Sequence, residues 1–111
     1  MARTLDDAIV VLEEIAQRLR EPDTDVAYSR YNSREEAVAD INSHLGRLRV
    51  GDHSGIGDLE SLFGPTGSLQ EISLTNGWGE RFLDLAARFD GAVEERARKV
   101  GRSRWIFWRW W

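Results

Sequence analysis

The chain has 111 residues, a hydrophobic fraction of 41%, a charged fraction of 31% and a formal net charge of −4, values typical of one globular domain. It contains no cysteine, which excludes disulfide frameworks, thiolate metal sites and cysteine nucleophiles. No stretch approaches the ~18 apolar residues of a membrane-spanning helix, and the first residues lack the apolar run of a signal peptide. We therefore expect a cytoplasmic protein.

The charge is unevenly distributed along the chain. Residues 1–95 contain nine arginines against nineteen aspartates and glutamates, whereas residues 96–111 contain five arginines, one lysine and no acid. Such a division predicts an acidic body with a basic end. Because an acidic body repels the phosphate backbone, we expect no binding of nucleic acid. The same acidity favours a protein partner that carries basic groups, since opposite charges orient association.

Two long helices are predicted in the first half of the chain from apolar residues at three- and four-residue spacing. The first spans Leu5–Arg20 with Thr4 as its cap. The second begins at Ser33, which forms a capping box with Glu36, and it ends at Gly51. The polar connection between the two helices is longer than most links in helical bundles.

The second half of the chain predicts two short helices and one long one. The short helices are Asp58–Phe63 and a piece that a Ser68 capping box begins, and we expect Phe63 to be buried where the two halves meet. The long helix runs from Trp78 to about Val100. Gly91 lies inside it and predicts either close helix packing or a break. A strand at residues 72–75 is rejected because it has no partner.

The predicted fold class is therefore all-α, an irregular four- to five-helix bundle with two short middle helices. We expect residues 1–101 to form a single helical domain. Residues 102–111, which hold four of the five tryptophans, are predicted to form an aromatic and basic C-terminal arm.

Metal and catalytic sites are not expected. Asp40 and His44 are four residues apart on the second helix and could share a metal ion, with His53 as a third ligand. This pattern is too common to be specific, and we expect His44 to lie at the edge of the core with no metal. The remaining acids are spread over helix starts and outer faces without a converging pair, so we expect neither a cofactor nor an enzyme.

Partner-binding residues are predicted in the connection and at the start of the second helix. The connection Glu21–Asn32 carries Tyr28 and Tyr31, and the second helix offers Glu35 and Asp40 on an acidic face. Long connections are often functional. The other interpretation is a spacer that crosses one end of the bundle, and we favour it because loop length alone is weak evidence.

The C-terminal arm completes the predicted partner-binding set with Trp105, Trp108, Arg109 and Trp110. Tryptophan and arginine suit a protein hot spot, and they also suit a membrane surface where indoles lie at headgroup level. The arm could instead pack on the bundle or on a second copy of the chain, which would give a homodimer. We favour this structural interpretation because an exposed cluster of this kind promotes aggregation. The six basic groups of residues 96–111 are too few for nucleic-acid binding by stacking.

The stretch LFGPTGSLQEISLTNGW, followed by FLDLAARFD, resembles a pattern from small bacterial helical proteins of uncharacterised function. It spans Leu62–Asp90, about a quarter of the chain. The resemblance carries no established activity and implies nothing about catalytic residues. Proteins of this size and character include the immunity proteins of toxin systems. The sequence thus predicts a non-enzymatic bacterial protein-binding module that acts by surface recognition, of the immunity-inhibitor kind. The alternative is a peripheral membrane protein anchored by the C-terminal arm.

Overall fold

The computed structural model describes residues 4–99, and over this range the chain forms five α-helices and no strand. The helices are α1 (Thr4–Leu19), α2 (Arg34–Arg49), α3 (Ile56–Phe63), α4 (Ser68–Thr75) and α5 (Gly79–Lys99). The predicted all-α fold with two short middle helices is therefore confirmed. The predicted arm at residues 102–111 and the boundary before it lie outside the described residues.

One hydrophobic core joins the five helices. α1 packs against α2 and against α5, while α3 and α4 pack on each other and on α5. α1 and α5 run antiparallel, because Asp7 pairs with Arg88 near one end and Glu14 pairs with Arg81 near the other. Within residues 4–99, no helix combines the length and the apolar character that crossing a membrane requires.

The centre of the core is an aromatic stack between the middle helices and α5. The Phe63 ring lies almost parallel to that of Phe89, with 4.3 Å between their centroids. It is also nearly parallel to the Phe82 ring at 5.9 Å. Trp78 then meets Phe82 edge-on at 6.4 Å. The predicted burial of Phe63 is thus confirmed, and its ring connects the two halves of the chain.

The ends of α1 and α2 follow the predicted signals closely. α1 is already helical at Thr4, the first described residue, and it ends at Leu19, one residue before the predicted end. The Ser33 hydroxyl accepts a hydrogen bond from the backbone N–H of Glu36 at 3.0 Å, as the capping box predicts. The Glu36 carboxylate accepts in return from the N–H of Asn32 at 2.6 Å, one residue before the cap.

The start of α4 differs from the prediction. Gly67 occupies the cap position, whereas Ser68 is the first residue of the helix and its hydroxyl accepts from the N–H of Arg30. A Cβ on Gly67 would lie 2.6 Å from the carbonyl oxygens of Ser61 and Leu62, so only glycine fits this close approach. The predicted Ser68 capping box was wrong because tertiary packing determines which residue takes the cap.

α3 and α5 differ from the predictions in smaller ways. α3 begins at Ile56, two residues earlier than predicted. α5 continues through Gly91, where an added Cβ would meet nothing within 4 Å, so this glycine produces neither a break nor a close approach. It lies on the exposed side of the helix, where its main effect is the lower helix propensity of glycine relative to alanine.

A bidentate ion pair joins α1 to α5. Arg81 donates from Nε and Nη2 to the two carboxylate oxygens of Glu14, each at 2.8 Å, and Arg18 donates to the same carboxylate at 3.2 Å. The hydrogen bonds from Arg81, with a smaller contribution from Arg18, lower the pKa of Glu14 from 4.5 to about 2 against the opposing effect of burial. The Arg18 guanidinium also lies 5.3 Å over the Trp78 ring.

This pair predicts a loss of stability in acid. Because the pKa of Glu14 is lower in the folded chain than in the unfolded one, the pair stabilises the fold above pH 4.5 and loses that effect as pH falls towards 2. We expect Glu14→Gln to lower the free energy of unfolding by about 1–2 kcal/mol at pH 7, allowing for solvent screening. The difference from wild type should vanish near pH 2 in urea titrations. An equal difference at pH 7 and pH 2 would contradict this role.

Candidate functional site

The loop of residues 20–33 between α1 and α2, here the α1–α2 loop, is anchored to the bundle at several points. Asn76 at the end of α4 accepts from the N–H of Asp25 at 2.9 Å and donates to its carbonyl oxygen at 2.7 Å. Further along, the N–H of Arg30 donates to the Ser68 hydroxyl at 2.9 Å. The loop therefore lies against α4, held on either side of residues 26–29.

Tyr28 stands at the tip of this loop. The N–H of Ser29 donates to the carbonyl oxygen of Val26 at 3.1 Å, and Tyr28 has a φ of 67°. These features define a type II turn over Val26–Ser29, here the Tyr28 turn, with Tyr28 at the position that favours glycine. Its side chain is 85% exposed. A large side chain is thus presented to solvent from a fixed backbone.

Glycine at this position tests the strain in the Tyr28 turn. A residue with a side chain pays about 1–2 kcal/mol of strain in the left-handed region, and glycine avoids this strain. Part of the gain is offset because glycine makes the unfolded chain more flexible, which favours unfolding. We expect Tyr28→Gly to raise the free energy of unfolding by about 0.5–1 kcal/mol in urea denaturation. The matched control is Tyr28→Ala, which removes the ring but keeps the Cβ and should bring no gain. A destabilised glycine variant would show that the ring packs on the fold.

Tyr31 occupies a different environment from Tyr28, although both were predicted to contact a partner. Its ring is only 7% exposed and belongs to the core. Its hydroxyl donates to Asp40 at 2.5 Å. Burial, followed by this bond to a carboxylate, raises the pKa of the Tyr31 hydroxyl far above its usual value. Tyr31 therefore holds the end of the loop against the core and against Asp40 of α2.

His44 lies at the centre of a polar cluster next to Tyr31 and is 2% exposed, so it is a core residue and not the edge residue that was predicted. Its Nε2 lies 3.2 Å from the Asp58 carboxylate and 3.7 Å from that of Asp40. Its Nδ1 lies 2.9 Å from Nη2 of Arg47. Because a guanidinium only donates, Nδ1 accepts, and the ring proton is on Nε2, from which it is donated to Asp58.

The same cluster contains the atoms that a metal ion would use. Asp40, His44 and Asp58 each offer one ligand atom, and these atoms lie within 4.8 Å of one another. A metal on Nε2 would require the ring proton to move to Nδ1, where it would face the donating guanidinium of Arg47. The hydrogen-bonding pattern therefore favours an internal polar network over a metal site. His53, the suggested third ligand, instead accepts from Arg96 of α5.

Asp58 extends the network to the α1–α2 loop. Its second carboxylate oxygen accepts from Arg30 at 3.3 Å, so one side chain of α3 connects His44 to the loop. The sequence spacing indicated Asp40 with His44, but Asp58 joins them only through the packing of α3 on this side of the bundle. No local pattern marks Asp58 or Arg30 for this role.

The remaining predicted partner-binding residues divide into two groups. Glu35 is exposed at the start of α2 and pairs with Arg34 at 2.9 Å. The other four, Trp105, Trp108, Arg109 and Trp110, lie outside the described residues.

Comparison with protein-family models, with curated proteins and with solved structures gives no match to this chain. A functional proposal therefore rests on the geometry of the α1–α2 loop and its surroundings.

Proposed function

We propose that this chain is a non-enzymatic protein-binding module and that Tyr28 is its central contact. The observation that carries the proposal is the 85% exposure of Tyr28 in a segment held on both sides by hydrogen bonds, from Asp25 to Asn76 and from Arg30 to Ser68. Tyrosine contributes a large contact area at a low cost in side-chain entropy, and it is enriched among binding hot spots. A fixed backbone lowers the ordering cost of binding further.

The charge around Tyr28 supports a basic partner. Residues 21–36 contain five acids and two arginines. Both arginines already pair with carboxylates, Arg30 with Asp58 and Arg34 with Glu35. Glu21 and Asp23 make no ion pair within residues 4–99. The net negative surface would steer a basic protein towards the loop, with an affinity that falls as salt rises. An immunity-type inhibitor in the bacterial cytoplasm, covering a basic toxin surface, is the specific form of this proposal.

The test is recovery of a partner with matched variants of the full chain. Tagged wild type, Tyr28→Gly and Val50→Gly are expressed in the native host and purified at low salt. Val50 is the control because it is 79% exposed and follows α2 at the end opposite to the α1–α2 loop. We expect a stoichiometric partner with wild type and Val50→Gly, reduced at least tenfold with Tyr28→Gly and released by raising salt. Equal recovery with all three would contradict the role of Tyr28.

The alternative function is binding to a membrane surface through residues 102–111. Its support is the composition of that segment, which holds four tryptophans and three arginines. Flotation with anionic liposomes, comparing the full chain with a chain ending at Gly101, tests it. This function requires the full chain alone to float, and equal partitioning of both forms would contradict it.

A further inference from the structure

The loop between α3 and α4 contains a second turn of the same kind as the Tyr28 turn. The N–H of Gly67 donates to the carbonyl oxygen of Gly64 at 2.9 Å, and Thr66 has a φ of 64°. With Pro65 at the second position, this is a type II turn over Gly64–Gly67, here the Thr66 turn. Thr66 is exposed and occupies the third position, where glycine fits best.

Tyr28 and Thr66 are the two described residues other than glycine that have a positive φ. The other described residues with positive φ are Gly51 at 80° and Gly77 at 85°, where glycine carries no strain. A β-branched residue such as Thr66 is particularly unfavourable in this region. Strained residues of this kind persist only where the surrounding structure holds them, and they cluster at functional sites.

Neither side chain is explained by the fold. The backbone N–H of Thr66 donates to Gln70 at 2.6 Å, and this bond would survive with any residue at position 66. The hydroxyls of Thr66 and Tyr28 make no hydrogen bond within residues 4–99. Glycine at both positions would adopt the type II turn geometry with less backbone strain. What the two side chains share is exposure on a strained backbone.

The two turns lie side by side. The hydrogen bond from the N–H of Arg30 to the Ser68 hydroxyl joins a residue two positions after Tyr28 to a residue two positions after Thr66. The Arg30 side chain then reaches Asp58 of α3, and both side chains of this ion pair are more than two-fifths exposed. The Tyr28 turn, the Arg30–Asp58 pair and the Thr66 turn therefore form one continuous surface, here the two-turn surface.

We propose that the two-turn surface is a single interface for one folded protein partner, which offers a pocket for the Tyr28 ring and a rim of basic groups. This rests on the proposed function and specifies where its contact extends. The Tyr28 ring is the anchor, and the short side chain of Thr66 allows close approach at the neighbouring turn. Because Arg30 and Asp58 neutralise each other, Asp23 and Asp25 give the loop beside Tyr28 its negative charge, which a basic rim complements.

The experiment is site-specific photo-crosslinking in the native host. A benzophenone amino acid replaces Tyr28, Thr66 or Val50 in the full chain, and each adduct is identified by its mass. We expect the same partner protein to be joined to positions 28 and 66, with at least tenfold less adduct at the control position 50. Adding Thr66→Gly to the chain that carries the probe at position 28 should lower adduct yield at least threefold, while its unfolding temperature stays equal or rises.

The outcomes separate this inference from the function on which it depends. Adducts from position 28 but not from position 66 would overturn the two-turn interface and leave the role of Tyr28 intact. The absence of adducts at position 28 would overturn both. An adduct of twice the chain mass at positions 28 and 66 would show that the surface binds a second copy, which overturns a basic partner. An unchanged yield after Thr66→Gly would also contradict the inference.

Discussion

Phe63→Ala should lower the free energy of unfolding by about 3–5 kcal/mol, which is the usual cost of removing a buried aromatic ring. The ring is fully buried and stacks on Phe89 at 4.3 Å, with Phe82 beside it at 5.9 Å. Alanine would remove both contacts and leave a cavity where α3 meets α5, which the rigid flanking helices could fill only in part. Urea denaturation followed by circular dichroism measures this loss directly.

Two further variants make the Phe63 result specific. Phe63→Leu keeps most of the volume and should cost less than alanine, because an apolar residue of similar size is tolerated better than a cavity. Leu83→Ala is the surface control, since Leu83 is an exposed apolar residue of the same α5 helix, and it should change stability by less than about 0.5 kcal/mol. A loss below about 1 kcal/mol for Phe63→Ala would mean that the stack does not hold the two halves together.

His44→Ala should have the second largest effect, a loss of about 2–4 kcal/mol. The imidazole, which is 2% exposed, accepts from Arg47 on one side and donates to Asp58 on the other. Removing it leaves the Arg47 donor without its acceptor and opens a cavity at a buried position, while Asp58 keeps Arg30 and Asp40 keeps Tyr31 as a partner. The lost acceptor and the cavity each cost more than one exposed hydrogen bond contributes. Thermal and urea unfolding at pH 7 measure the loss.

The His44 prediction has its own matched comparisons. His44→Gln supplies one acceptor and one donor and should retain part of the stability that alanine loses. Asn42→Ala changes an exposed residue on the same helix and should be nearly neutral. A loss for His44→Ala that is no larger than that for Asn42→Ala would show that the cluster contributes nothing to the fold.

The three long helices were predictable because their apolar residues repeat over many turns. The signal at Ser33 was sufficient by itself, since the capping serine and glutamate lie within one turn and need no distant partner. The same pattern at Ser68 failed. There the close approach of Gly67 to the end of α3 decides the cap, and the serine hydroxyl is used by Arg30, which is 38 residues away in the sequence.

The candidate site was less predictable than the fold. Tyr28 and Tyr31 are three residues apart in a polar loop, and no local pattern separates the exposed ring from the buried one. Their difference depends on where Asn76 and Ser68 hold the loop, and these residues lie at the two ends of α4, which is distant in the sequence. The Thr66 turn was foreseeable in part, since a proline before a strained position is typical of a type II turn. The Tyr28 turn could not be foreseen in this way, because no proline directly precedes its strained position.

The two attachments of the α1–α2 loop at Asp25 and Arg30 have a consequence for how this protein could diversify. Only four residues lie between the attachment points, and the Tyr28 turn occupies all of them. Substitutions at these positions would alter the shape offered to a partner while the attachments and the helices beneath stay unchanged. Under the proposed binding function, related chains could therefore differ in the molecule they recognise through this short segment alone, much as antibody loops vary on a constant framework.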